Sequence, residues 1–271
     1  MPDPVRVAII TDLEGVACVT DRAAWDSDDR TGAFAEYTRL FVGEVNAAAG
    51  GCFDAGAREV LVAEGHAKSF RGHMGEFDPR VRLALGVPFH VMAEGRYDAL
   101  VLVGYHAMAD AEGAVLSHSH SDKTYVATWL NGTLIGEIGH LGAVFGEYGT
   151  PLVFVSGDVA ACREAEELVE GVVTAAVKQA VGRFGAFSLS PQGACELIRE
   201  RAAAAVEKRD DIRPVAFESP VEFVVEFSTT DPVERSTLVP GVEAAGARRI
   251  IISGGSVAEV MRLFCLTSRV V

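Results

Sequence analysis

Short apolar runs alternate along the chain with stretches whose apolar residues recur at helical spacing, and this alternation predicts the fold. Val5 to Thr11 is a β-branched run ending in Asp12-Leu13-Glu14-Gly15, the pattern of a buried strand feeding a loop. Phe34 to Ala49 carries apolar positions at helical spacing, and Gly50-Gly51 is expected to stop that helix. Glu59 to Ala63 reads as a second strand, followed by a polar loop from Glu64 to Met74. Val81 to Leu85 marks a third strand, Pro88 to Gly95 a short helix, and Ala99 to Val103 a buried strand ending at Gly104. Gly104 to Asp122 is too rich in Gly, Ser and His for a core element, and a loop of that length is usually functional or disordered. Tyr125 to Leu130, Asn131-Gly132 and Thr133 to Gly136 make a hairpin signal, because Asn-Gly supplies the positive φ of a type I′ turn. Leu141 to Tyr148 is expected to be helical, Leu152 to Ser156 a buried strand and Val159 to Leu168 a helix.

Strands alternating with helices imply an α/β fold, a largely parallel sheet flanked by helices. Beyond Pro191 the pattern changes: Gln192 to Lys208 is a long Ala- and Glu-rich helix, Val221 to Phe227 and Ala247 to Ile252 are strands, and Val257 to Leu266 is a final helix. With 271 residues, we expect an α/β domain over 1–190 and a smaller C-terminal α+β domain over 191–271.

Charge narrows the partners. Lys and Arg total 24 against 38 Asp and Glu, a net charge of −14. Such a surface repels phosphate backbones and anionic lipids, so neither nucleic acid nor membrane is expected as a partner. Surplus carboxylates are also a raw material for binding cations. The five cysteines are scattered without Cys-x-x-Cys spacing, which suits a reducing compartment better than a disulfide framework. No basic leader and no run of about 20 apolar residues is visible, and a cytoplasmic location is expected.

Chemistry-bearing residues sit after the strands. Asp12 and Glu14, two apart at a strand end, converge, and like charges so close call for a proton or a cation between them. Taken alone, the pair reads more readily as caps for the next helix. His66 follows the second strand and His106 follows the strand Ala99 to Val103, so three strand ends deliver four donors to one edge of the sheet, where open α/β sheets form their sites. Glu137, at the mouth of the helix after the hairpin, is a fifth candidate. Leu116-Ser117-His118-Ser119-His120 adds two imidazoles in the long loop, one of them a candidate general acid or base. His73, His90 and His140 read as incidental. Imidazole plus carboxylate without thiolate is the ligand set of catalytic zinc or a related divalent ion.

Thr11-Asp12-Leu13-Glu14-Gly15, Gly65-His66-Ala67-Lys68, Gly104-Tyr105-His106-Ala107, Ser117-His118-Ser119 and Gly136-Glu137-Ile138-Gly139 resemble, in order and separation, the motifs of the D-aminopeptidase family of dipeptide-transport operons, which are zinc metallopeptidases. Ser156-Gly157-Asp158 and Thr174 to Gln179 extend the resemblance, which runs to about Pro191 and more weakly beyond. It implies two zinc ions per subunit bridged by Asp12, with Glu14 and His106 completing one site and His66 and Glu137 the other. His118 falls at the family's catalytic histidine. It further implies a two-metal-activated water that cleaves N-terminal D-residues from short peptides, inside a ring-shaped homodecamer. Ile10, Glu64, Gly65 and His120 depart from the family pattern, which touches the surroundings of the ligands and leaves all five in place. Two other readings compete. Ile10 to Gly15 resembles the strand-Asp-x-Asp-Gly of haloacid-dehalogenase-type phosphohydrolases, with Asp12 as nucleophile. A metal-stabilised assembly protein without catalysis is the third.

Overall fold

The computed structural model describes residues 5–28 and 32–271. Strands β1 (Arg6–Thr11), β2 (Glu59–Glu64), β3 (Arg82–Ala84), β4 (Ala99–Tyr105), β7 (Leu152–Asp158), β8 (Val173–Gly182) and β9 (Gly185–Ser188) form one sheet in the order β3-β2-β1-β4-β7-β8-β9. Every pairing is parallel except β8 with β9, an antiparallel hairpin at the edge. The β-branched and leucine-rich runs of β1, β4 and β7 are buried throughout their centres because helices cover both faces. Helices α1 (Ala33–Asp54) and α5 (Pro191–Glu207) pack together over one face. On the other, α3 (Glu137–Glu147) lies against β4 and β7, beside α2 (Phe89–Ala93), α4 (Val159–Leu168) and α7 (Val257–Thr267). This is the largely parallel α/β sheet expected from the sequence.

β1 lies between β2 and β4, so the order of strands reverses across it. At such a reversal the following loops diverge to opposite faces and leave a crevice at the strands' carboxyl ends.

A second, antiparallel sheet has the order β11-β12-β10-β5-β6, from β5 (Tyr125–Leu130), β6 (Thr133–Leu134), β10 (Val221–Phe227), β11 (Val242–Ala244) and β12 (Arg249–Gly254). It draws strands from both sides of residue 190: β5 pairs with β10, with Phe223 opposite Leu130 and Val225 opposite Thr128. Val221, Phe223, Val225 and Phe227 alternate inward, and the two phenylalanines join Phe264 of α7 and Tyr125 of β5 in an aromatic cluster.

The pattern reading differs from the structure in several places. Helix α1 runs through Gly50-Gly51 to Asp54. Here α5 crosses so closely that a Cβ on Gly51 would stand 2.3 Å from the Arg199 carbonyl oxygen. Close helix packing therefore outweighs the roughly 1 kcal/mol each glycine costs in a helix interior. Helix α3 begins at Glu137, four residues before the expected Leu141. The β8–β9 hairpin has no counterpart in the reading, because Thr174-Ala175-Ala176 carries too few β-branched or aromatic residues to announce a strand. Among the described residues, no helix is long and apolar enough to cross a membrane.

Candidate metal centre

The crevice is built from the loop after β1. The Asp12 N–H donates to the Val103 carbonyl at 2.8 Å and the Gly15 N–H to that of Gly104 at 2.7 Å, docking residues 12–15 on the end of β4. Gly104 has φ +75°, and a Cβ there would lie 2.2 Å from the Asp12 carbonyl oxygen, so the approach needs glycine. From β8, the buried Lys178 Nζ donates to the carbonyls of Glu14, Val16 and Val19 at 2.5, 2.8 and 2.6 Å. That uses all three of its donors on one loop. From α1, buried Glu44 accepts from the Ala17 N–H at 2.8 Å. Burial pulls the Lys178 ammonium down to about 8 and pushes the Glu44 carboxyl up to about 7.

All five sequence-predicted donors and His118 meet here. His66 Nδ1 lies 3.4 Å from Asp12 Oδ1 and 3.1 Å from Glu14 Oε2. His106 Nε2 lies 3.2 Å from Asp12 Oδ2 and 3.4 Å from Glu137 Oε1. His118 Nε2 stands 3.9 Å from both Glu14 Oε1 and Glu137 Oε1. Two adjoining triads result, Asp12 with Glu14 and His66, and His106 with His118 and Glu137, the donor atoms of each within 4.8 Å of one another. The resemblance pairs Glu14 with His106 and His66 with Glu137; the geometry groups them the other way and draws His118 into the second group.

These donors fit a divalent cation. Ligands held at about 2.0–2.2 Å from zinc stand no more than about 4.4 Å apart, and the individual contacts above, from 3.1 to 3.9 Å, fall inside that span. Although 3.2 Å apart, Asp12 Oδ2 and His106 Nε2 are not aligned for a hydrogen bond, and each is buried without one. Two polar atoms orphaned side by side are costly unless an ion or proton lies between them. The donor set, imidazole and carboxylate without sulfur, suits zinc and its neighbours.

The charges confirm how strongly the groups feel one another. Burial pushes the Asp12 carboxyl up, but the His106 and His66 imidazoles outweigh it and hold it well below the usual carboxylate range. Glu137 is likewise held down against burial, chiefly by His106. Burial pulls His66 down, yet Glu14 and Asp12 raise it well above an ordinary imidazole; Asp12 and Glu137 do the same to His106.

The imidazoles are aimed by their other nitrogens. His106 Nδ1 meets the Ala107 carbonyl at 3.0 Å and His118 Nδ1 that of Leu116 at 2.9 Å, so each turns Nε2 into the crevice. The loop carrying His118 is buried from Val115 to Ser119, unlike the open polar loop its composition implies. Its backbone is satisfied from outside: the Val115 N–H donates to Asp158 Oδ2 at 2.7 Å, Leu116 N–H to the Arg183 carbonyl at 3.0 Å and Met108 N–H to Glu164 Oε2 at 2.7 Å. Cys18, Lys68, Leu116 and His120, all beside the crevice, hold left-handed backbones with φ between 52° and 68°. Such conformations carry about 1–3 kcal/mol each and gather where surroundings dictate geometry.

Several contributors escaped the sequence reading. Trp25 donates its indole N–H to Glu14 Oε1 and sets its edge on the His118 ring. His140 is buried and far from incidental. Thr128 Oγ1 donates to the Ile135 carbonyl at 2.6 Å and accepts from His140 Nε2 at 3.2 Å, so His140 Nδ1 accepts from His120 Nε2 at 2.7 Å. Burial pulls the His140 imidazole well down, consistent with this neutral, directed chain. The His120 N–H in turn donates to Glu137 Oε1 at 2.6 Å. Nothing in the spacing of Trp25, Lys178 or His140 marks them in advance.

A crevice at a strand-order reversal, lined by carboxylates and imidazoles fitted to a divalent cation, defines the class of metal-dependent hydrolases. Comparison with known proteins narrows this further. Residues 5–266 match the family described as D-aminopeptidase, and the chain belongs to that family of peptidases. It is 32% identical over 244 residues to the D-aminopeptidase of Bacillus subtilis, covering 88% of this chain and 87% of that protein. It also superposes on the solved "Zn-dependent D-aminopeptidase DppA from Bacillus subtilis, a self-compartmentalizing protease", with a TM-score of 0.91, 28% identity and coverage of 98% and 97% of the two chains. The phosphohydrolase alternative finds no support in these likenesses, and it leaves His66, His106 and Glu137 idle.

Proposed function

We propose that the chain is a zinc-dependent aminopeptidase that removes N-terminal D-residues from short peptides, with two metal ions in the adjoining triads. The observation that carries this reading is Asp12, whose two oxygens face His66 on one side and His106 on the other, 3.4 and 3.2 Å away. Asp12, Glu14 and His66 would hold one ion, His106 and Glu137 the other, and Asp12 would join them. Zinc bound there supplies Lewis acidity and makes a water molecule an effective nucleophile near neutral pH. The protein's own groups do the rest. Trp25 holds Glu14 in place, Lys178 fixes the loop beneath it, and His118 presents Nε2 to the crevice as the acid that protonates the leaving amine.

The solved relative is called self-compartmentalizing, and we extend assembly into a homo-oligomeric ring, a homodecamer, to this chain. Val181, Phe184 and Phe187, the last 75% exposed, stand out on the β8–β9 hairpin and supply an apolar face for a second copy. We place the protein in the cytoplasm, where five free thiols persist.

The decisive experiment measures metal content of the purified protein, then hydrolysis of matched D- and L-aminoacyl amides with and without chelator. Chelator-sensitive turnover of the D-series is expected; turnover of the L-series alone removes the stereochemical part of the reading, and a metal-free active protein removes the rest. His118→Ala is expected to keep the metal and lose turnover by about a hundredfold or more. Loss of metal along with turnover reassigns His118 as a ligand of the second triad.

A further inference from the structure

The chain has four lysines, Lys68, Lys123, Lys178 and Lys208, in a protein of net charge −14. Lys178 lies under the crevice, holding its loop. Lys68 and Lys123 line the crevice itself, a cavity of about 530 Å³. Two of the four lysines therefore line one cavity and a third holds the loop beside it, although arginine outnumbers lysine in the chain.

The cavity is polar in a directional way. Asp12, Glu14 and Glu137 line it at buried or half-buried positions, Lys68 and Lys123 at exposed ones. The Lys68 ammonium is fixed there by donating to Ser27 Oγ at 2.7 Å, and Ser27 also lines the cavity. Its backbone is left-handed at φ +68°, a conformation held by the turn that also delivers His66. The Lys123 backbone is tethered as well, its carbonyl accepting from Ser228 Oγ at 2.7 Å, just beyond β10. The neighbouring Asp122 is offset by Arg22 at 3.6 Å, which leaves the two lysines to set the sign of the rim.

We propose that Lys68 and Lys123 form a subsite for the free C-terminal carboxylate of the substrate, making short zwitterionic peptides the preferred class. This rests on the aminopeptidase reading above. A peptide entering with its amino end toward the acidic, metal-binding residues must carry its carboxylate away from those acids. Within a cavity of this size, only a chain of a few residues brings both ends into reach at once. Ammonium groups suit this role. Each is a compact charge on a flexible stem that accommodates carboxylates at slightly different depths, whereas a guanidinium demands one planar approach. Two such charges on an acidic protein also draw an anionic terminus that the remaining surface repels.

The test compares kcat/KM of the zinc-loaded protein on a D-alanyl dipeptide and on the same dipeptide as its C-terminal amide. The parent is expected to prefer the free acid by about tenfold or more, mainly through KM, the size of a charge-assisted contact. Lys68→Met and Lys123→Met should each lower that acid-to-amide ratio, Lys68→Arg should restore part of it, and Lys208→Met, at the end of α5, should leave it unchanged. Equal kcat/KM for acid and amide in the parent overturns the proposal while leaving the aminopeptidase reading standing. So does an equal fall on both substrates in the Lys68 and Lys123 variants. Failure of the parent to cleave either peptide overturns the aminopeptidase reading and this subsite with it.

Discussion

The two donor triads sit side by side yet are held by different means. Asp12, Glu14 and His66 hang from neighbouring parallel strands, and their loop is clamped by one buried ammonium that grips three carbonyls. His106, His118 and Glu137 come from a strand end, a long buried loop and a helix N-terminus, and they are aimed by neutral contacts: two backbone carbonyls and the His120 N–H. The contrast teaches where each half is vulnerable. A charge clamp concentrates its effect in a single side chain, whereas carbonyl-oriented imidazoles distribute theirs over a whole loop.

Breaking the link between the halves has the largest expected effect. Asp12→Asn should cut turnover by on the order of 10³-fold and lower metal content at both triads, as read by elemental analysis and steady-state kinetics. Loss of one ion with the second retained would mean that Asp12 serves only the first triad. Lys178→Met sharpens the comparison at an intermediate level. It should weaken metal binding by roughly 10–100-fold at the first triad while sparing the second, checked by stoichiometric metal titration followed step by step. Equal weakening at both would show that the clamp supports the crevice as a unit.

The smallest effect concerns pH and stability. Glu44, buried beside the same loop, has its carboxyl raised from 4.5 to about 7 by burial. The folded chain therefore binds a proton at Glu44 more tightly than the unfolded chain does. Stability from this source is full below pH 4.5 and is lost as pH rises through about 7. Thermal melts of the parent should fall relative to Glu44→Gln across that window, and parallel melting curves for the two would remove Glu44 as the cause.

Much of the site was legible in the sequence because it obeys short-range rules. Asp12, His66 and His106 each follow an apolar run that cannot be anything but a buried strand, and parallel strands bring their ends to one side. Glu137 was visible through the motif resemblance and the hairpin before it. Trp25 was not, since it reaches the crevice through tertiary packing from a segment with no periodic or motif signal of its own; Lys178 lies in the resembling stretch Thr174 to Gln179, but its grip on the Asp12 loop is a tertiary contact across more than 150 residues. The buried character of 115–119 was hidden for a related reason: its partners Asp158 and Arg183 lie more than 40 residues away. Likewise, the pairing of β5 with β10 joins residues about 93 apart, and no local pattern announces it.

That last pairing has a consequence for how the protein comes into being. As the chain leaves the ribosome, the segment bearing His106, His118 and Glu137 emerges well before β10 and α7, on which β5 and His120 lean. A nascent chain cut short of Val221 presents β5 as a bare edge, with Tyr125 and His120 lacking their aromatic neighbours. The second half of the crevice is thereby finished late in synthesis, so an incomplete polypeptide carries an unfinished site.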